Sequence, residues 1–361
     1  MNGDGVLENC GTLRIDCGIP YRETCNLKPA NSDKMSEHFL VTGAMGCIGA
    51  WTIKQLLDEG AAVTTFDLVD NPYRLRLVMG DPDIDKVNFV QGDITDFEQF
   101  ERVVVDNGIT HIIHLAALQV PFCRADPVLG MGVNVVGTTV ILETIKRHAA
   151  QIQGFVYCSS VAVYGTVDKY PAGPLAHDAA LLPNTIYGVS KVANEDTARI
   201  YWQDHQVRSI GFRPYTVYGP GRDQGISSTP TKAVLAAIVG RPYEITLSGV
   251  WTYQYAPDVA NCLILAARTE LAGAPVFNMG GAVADMPEFV AAIEDVLPEA
   301  AGTITIAAAP IPLPGEFDDS ELNRAIPGVH WRTLPEGVAE SVAHFRHLID
   351  SGRINIERAM A

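Results

Sequence analysis

Tyr187-Gly188-Val189-Ser190-Lys191 places a phenol and an ammonium four residues apart, and Ser160 stands upstream of them. On a helix, residues four apart share a face, so Lys191 is expected close enough to Tyr187 to favour the ionised phenol. An ordinary tyrosine, with a pKa of about 10, is a weak base at neutral pH. A neighbouring cation that lowers this value would let the phenol take a proton from a carbinol as hydride leaves. The Ser160 hydroxyl would orient the same substrate oxygen. The expected chemistry is hydride transfer, with Ser160, Tyr187 and Lys191 as the catalytic set.

A hydride acceptor needs a binding site, and Gly43-Ala44-Met45-Gly46-Cys47-Ile48-Gly49 supplies its pattern. Three glycines spaced three apart permit a tight turn, close approach of backbone to a pyrophosphate, and packing of the following helix on the preceding strand. Phe39-Leu40-Val41 reads as that strand, and Ala50 to Glu59 has helical spacing through Ile53, Leu56 and Leu57. Asp67 closes a second strand, where a carboxylate hydrogen-bonds ribose hydroxyls and repels a 2′-phosphate. NAD is therefore the expected cofactor, over NADP, with Gly43, Gly46, Cys47, Ile48, Gly49 and Asp67 around it.

Further apolar segments at Val87–Val90, His111–Leu115, Phe155–Cys158 and Arg208–Arg213 alternate with helical stretches. The expected fold is α/β: a Rossmann-type doubly wound parallel sheet with a smaller α/β substrate-binding lobe. Residues 1–37 read as an N-terminal extension, 38–213 mainly as the NAD-binding domain, 214–350 mainly as the substrate lobe with interleaved segments, and 351–361 as a tail. Pro310 to Pro314 reads as a surface loop.

The chain has 361 residues, 26 basic and 42 acidic, for a net charge of −16. That charge repels phosphate backbones and anionic lipid, so nucleic acid and membrane surfaces are not expected partners. The sequence reading finds no apolar run near the roughly 20 residues needed to span a bilayer, and no secretory pattern in the first 30. A cytoplasmic protein with reduced thiols is expected, because a disulfide at Cys47 or Cys158 would obstruct the site. Cys10, Cys17 and Cys25 are too few for a zinc site, and no histidine spacing suggests a metal. His114 reads as a satisfied strand-edge histidine and Cys158 as a packing residue.

Thr42 to Gly49, Gly92-Asp93-Ile94, His114-Leu115-Ala116-Ala117, Asn134-Val-Val-Gly, Cys158 to Gly165, Tyr187 to Lys191 and Arg213 to Pro220 occur in order. This set resembles the extended short-chain dehydrogenase/reductases, and within them the NAD-dependent epimerase/dehydratase family. The resemblance spans about residues 38 to 345. It implies that Asp93 and Ile94 border the adenine, that Leu115, Ala116 and Ala117 run along the dinucleotide, that Pro214 adjoins it, and that Asn134 belongs to the cofactor site and supports the catalytic helix region. It also implies a homodimer through helices near Gly137–His148 and Tyr187–Gln203.

Several positions depart from the family's pattern. Gln119 stands where sugar-nucleotide epimerases often carry a lysine near the cofactor pyrophosphate. Val161 and Ala162 replace the Asp-Glu pair that dehydratases use, which argues against dehydration. Trp251 takes the place of the arginine that grips a substrate diphosphate in sugar-nucleotide members, although Arg222 could substitute from another loop. Gln119, Ser160, Val161, Thr216 and Arg222 are the expected substrate contacts. The leading expectation is an oxidoreductase acting at a carbinol or keto carbon of a sugar, sugar acid or related polyol. A redox-neutral sugar or sugar-nucleotide epimerase and a non-catalytic dinucleotide sensor stay open beside it.

Overall fold

A computed structural model describes residues 36–361 of the chain, and the expectations placed on the leader, Cys10, Cys17 and Cys25 included, lie outside these residues. Residues Glu37–Ala361 form one compact unit. Six strands come first: β1 (His38–Thr42), β2 (Ala62–Asp67), β3 (Asn88–Gln91), β4 (His111–His114), β5 (Gly154–Cys158) and β6 (Ile210–Arg213). The chain then leaves for β7 (Thr216–Tyr218), β8 (Tyr243–Ile245) and β9 (Val250–Tyr255), returns as β10 (Val276–Asn278), and leaves again for β11 (Ala282–Asp285) and β12 (Ile304–Ile306).

Seven of these make one sheet in the order β10-β6-β5-β4-β1-β2-β3, and every pair in it is parallel. Both faces of such a sheet must be covered, which explains why Phe39, Leu40 and Val41 are all buried rather than alternating. The order reverses between β1 and β4, and ligands of open parallel sheets bind beyond the carboxyl ends of the strands there. The expected α/β doubly wound fold is present. The smaller lobe holds a three-stranded sheet, β11-β9-β7, and a two-stranded one, β12-β8.

The helix Ala256–Ala267 packs on the first helix, Cys47–Asp58, and β10 pairs with β6. The smaller lobe is thus stitched into the larger one. Residues 351–361 are not a loose tail: the helix Ile356–Met360 buries Ala359, and Arg358 lies over the Tyr73 ring at 3.6 Å.

One sequence expectation fails on length. The continuous helical run Pro127–Arg147 has 21 residues and is apolar enough to cross a bilayer by length and composition, but half of it is packed inside the protein. A π-helical turn at Gly132–Val136 interrupts it, and such turns concentrate at functional sites.

Candidate active site

The helix that carries Tyr187 and Lys191 runs from Ile186 to His205, and its start is set by Thr185, whose side chain accepts from the Gly188 amide. Gly188, Ser190, Lys191, Asn194, Glu195 and Ala198 form its buried face. Gly188 is required by close approach: a Cβ there would overlap the carbonyl oxygen of Ala162, in the turn that carries Ser160. The helix therefore rests directly on the Ser160 turn.

Behind this contact lies a buried ionic network. Arg213, at the end of β6, donates to both carboxylate oxygens of Glu195 and also to Tyr164 Oη and the carbonyl of His177. Ser159, next to Ser160, donates to Glu195. The catalytic helix, the serine turn and the loop before the helix are locked to the same guanidinium.

A cavity of about 310 Å³ opens at the carboxyl edge of the sheet. Ser160, Tyr187 and Lys191 line it together with Gly43, Gly46, Cys47, Ile48 and Gly49. The catalytic and cofactor residues expected from sequence thus share one space. Leu115, Ala117, Gln119, Val161, Pro214 and Arg222 also line it.

The electrostatics differ from the sequence expectation. Lys191 Nζ donates to the carbonyl of Cys158 at 2.7 Å and lies 5.6 Å from the Tyr187 ring centroid. Burial lowers Lys191 to about 8 and pushes Tyr187 up to about 12, with a hydrogen bond from Ser160 opposing the rise only in part. Desolvation is the largest influence on both groups. Burial also drives His114 down to about 3, and its ring nitrogens engage Thr42 and Thr138. That neutral, bonded imidazole has no free nitrogen for catalysis.

Other positions are corrected by the fold. Thr216 lies in β7, fully buried, with its hydroxyl unpartnered among the described residues, while its neighbours Tyr215 and Val217 reach the cavity. Asp93, which is exposed, accepts from the backbone and hydroxyl of Thr95 through one carboxylate oxygen. Ile94 packs into the core beside Phe66 and Phe100. Ala116 does not line the cavity; its amide backs the glycine turn, where a Cβ on Gly43 would fall 2.5 Å from it. Asn134 is fully buried, accepting from the amide of Leu118 and donating to its carbonyl and to Ser190 Oγ. It thereby ties the helix Ile186–His205 to the segment at Leu118.

Sequence reasoning missed part of the wall. Ile311 and Leu313, in the supposed surface loop, line the cavity, as do Ile226 and Ser227. No local pattern marks them, because they arrive by tertiary folding. Trp251 is also on the wall, 2% exposed and stacked on Tyr215 at 5.4 Å with an interplanar angle of 7°.

The turn fits a dinucleotide. Gly43 has φ +65°, a conformation that favours glycine. Gly46 precedes the first helix and offers no side-chain cap, so the N–H groups of that first turn are left for an anion. Asp67 accepts from the amides of Met45 and Val69. It borders a second, smaller cavity of about 120 Å³ with Met45, Val69 and Asp70. Cys47, Cys123, Cys158 and Cys262 are free thiols, and among the described residues no cluster of metal-ligating side chains occurs.

Comparison with known proteins agrees with this geometry. The sequence profile of the NAD dependent epimerase/dehydratase family matches residues 39–280. The chain is 31% identical over 326 residues to a UDP-glucose 4-epimerase of Mycolicibacterium smegmatis, covering 85% of this chain and 98% of that protein. Among solved structures, the Thermus thermophilus UDP-glucose 4-epimerase complex with NAD is 27% identical with a TM-score of 0.69, covering 86% of this chain and 99% of that one. L-threonine dehydrogenase of Clostridium difficile shares the fold, with a TM-score of 0.76 at 20% identity over 86% of this chain and 98% of its own. A dinucleotide turn and a Ser-Tyr-Lys set in one cavity, on a chain matched over most of its length, place this protein in the NAD-dependent epimerase/dehydratase family, as an NAD-dependent enzyme of it.

Proposed function

We propose that the protein is a dehydrogenase/reductase acting at a carbinol or keto carbon of a sugar, sugar acid or related polyol that carries no nucleoside diphosphate. The observation that carries this reading is Trp251. Its indole forms part of the cavity wall, stacked on Tyr215, at the position where the resemblance leads one to expect an arginine for a diphosphate. A diphosphate lying against this indole would gain no charged partner from position 251.

NAD, when bound, supplies the hydride acceptor. Ser160 Oγ donates to the substrate oxygen, and Tyr187 takes the carbinol proton in oxidation or returns it in reduction. Lys191, anchored on Cys158 O, stands beside Tyr187 as a donor to the nicotinamide ribose. The cavity wall includes no Asp or Glu, so it offers no carboxylate to remove and return protons during elimination.

A redox-neutral epimerase is the second reading, favoured by the 31% identical UDP-glucose 4-epimerase. A single assay separates them: the purified protein is incubated with NAD and panels of sugars, sugar acids, polyols and UDP-sugars while reduced NAD is followed. Stoichiometric NAD reduction by a compound lacking a nucleotide is expected. Interconversion of UDP-sugars without accumulation of reduced NAD would replace this reading by the second.

A homodimer in the cytoplasm completes the proposal. Phe122, Val128, Leu129, Val136, Val189 and Ile200 are at least 40% exposed, on helices that pack around the start of the catalytic helix. Free thiols at Cys47 and Cys158 suit a reducing compartment. Sedimentation of the purified protein as a monomer would remove the dimer from the reading.

A further inference from the structure

The loop between β7 and the helix Thr229–Ile238 lies against the start of the first helix. The Pro220 carbonyl accepts from Trp51 Nε1 at 2.9 Å and faces Cys47 Sγ at 3.8 Å. Asp223 accepts from Arg74 Nε at 2.7 Å, and Arg74 also donates to the carbonyl of Met45 inside the glycine turn at 3.0 Å. Pro220 and Asp223 thus pin the loop to the turn at two points, with Arg222 between them.

Arg222 lines the main cavity, and its Nη2 donates to Ser227 Oγ at 2.9 Å. Its Nε is sealed from solvent and has no hydrogen-bond partner among the described residues. A buried guanidinium with an unused donor is costly unless an anion meets it. The carboxylate next in sequence, Asp223, is already engaged by Arg74. Gly46, Cys47, Ile48 and Gly49, at the start of the first helix where Gly46 offers no side-chain cap, line the same cavity, and Cys47 lies beside Gly221.

We infer that Arg222 binds the pyrophosphate of NAD from the side opposite the glycine turn, so that the loop 219–225 straps the cofactor in place. The inference rests on the NAD site described above and reassigns Arg222 from substrate to cofactor. It also gives a physical meaning to Gln119, which stands where a lysine was expected: Gln119 Oε1 and Arg222 Nη2 both lie within 3.2 Å of the point a Cβ on Gly225 would occupy. The cation is supplied from the strap instead of from position 119. Gly219, Gly221 and Gly225, with φ of +117°, +93° and +92°, give the strap a backbone that other residues rarely adopt.

The test is calorimetric titration of the full-length protein with NAD and with ADP-ribose, which keeps the pyrophosphate and lacks nicotinamide. Arg222→Gln is expected to weaken both ligands alike, by about tenfold to hundredfold, the range of one charge-assisted hydrogen bond. Arg222→Lys is expected to recover part of the loss. Unchanged affinities, or a loss confined to NAD, would overturn the inference. Should Arg222→Gln not fold, the wild-type protein decides: ADP-ribose is expected to shield Arg222 from an arginine-selective dicarbonyl reagent, and full labelling in its presence would overturn the inference. Failure of the wild-type protein to bind NAD at all would overturn the cofactor reading together with it.

Discussion

Glu195 receives Arg213 Nη2 at 2.6 Å and Nε at 2.9 Å, and the two side chains are 7% and 5% exposed. Glu195 lies four residues beyond Lys191 on the catalytic helix, one turn further along the same face. The pair transmits the position of β6 to the helix that carries Tyr187.

Breaking that pair leaves a buried charge without its partner. Glu195→Ala is expected to destabilise the protein by about 3–5 kcal/mol, because an unpaired buried charge is costly. The double variant Glu195→Met with Arg213→Met is expected to recover a substantial share. Urea denaturation of both single variants and of the double variant measures this, and a double-variant loss equal to the sum of the two single losses would show that the pair has no coupling.

Tyr187→Phe is expected to bind NAD as tightly as the wild-type protein while turnover falls by about 10²–10⁴-fold, the range for a positioned acid–base group. Fluorescence titration and steady-state rates separate the two effects. Retained turnover would remove Tyr187 from the proton-transfer role.

Lys191 gives a pH signature in the cofactor-free protein. Its value in the fold is about 8, below its ordinary 10.5, so between these limits the unfolded chain holds the extra proton and stability rises with pH. The penalty of burying the ammonium is fully present below about pH 8. Lys191→Met is therefore expected to raise the melting temperature at pH 7, with an advantage that shrinks toward pH 10. A constant difference across this window would refute the linkage.

Gly188→Ala places a methyl group against the Ala162 carbonyl. Overpacking of this kind costs about 1–3 kcal/mol, and separation of Tyr187 from Ser160 by as little as an ångström is expected to lower turnover by about 100-fold. Thermal unfolding and kcat report the two consequences. Wild-type values for both would mean that the helix slides without cost.

Trp251→Ala removes a buried ring from the cavity wall, with an expected loss of about 3–5 kcal/mol in urea denaturation. A loss below 1 kcal/mol would show that the wall collapses to fill the space.

The sequence made the βαβ core legible because its signals are local. Gly43, Gly46 and Gly49 sit between a strand and a helix, and Tyr187 and Lys191 are joined by helical spacing. Thr216 and Ile94 were misplaced because motif order does not say which side of a strand or turn faces the ligand. Ile311 and Leu313 were invisible because proline spacing describes a loop without saying what it covers. The rise at Tyr187 was invisible for a different reason: spacing shows which charges are neighbours, whereas desolvation depends on everything packed around them. The strand-end position of Asp67 was legible, whereas its bonds to Met45 and Val69 were beyond sequence.

The return of β10 to the edge of β6 governs how the chain can be cut and assembled. A fragment ending at Arg213 would contain every residue of the Ser-Tyr-Lys set, yet its last strand would present an unpaired row of backbone donors and acceptors to solvent. Exposed edges of that kind recruit other chains. During synthesis, the nucleotide-binding half emerges first and must wait for the later lobe before its own sheet is closed. The aggregation hazard of this protein is thus greatest in the interval between those two events, at a strand that is buried in the finished molecule.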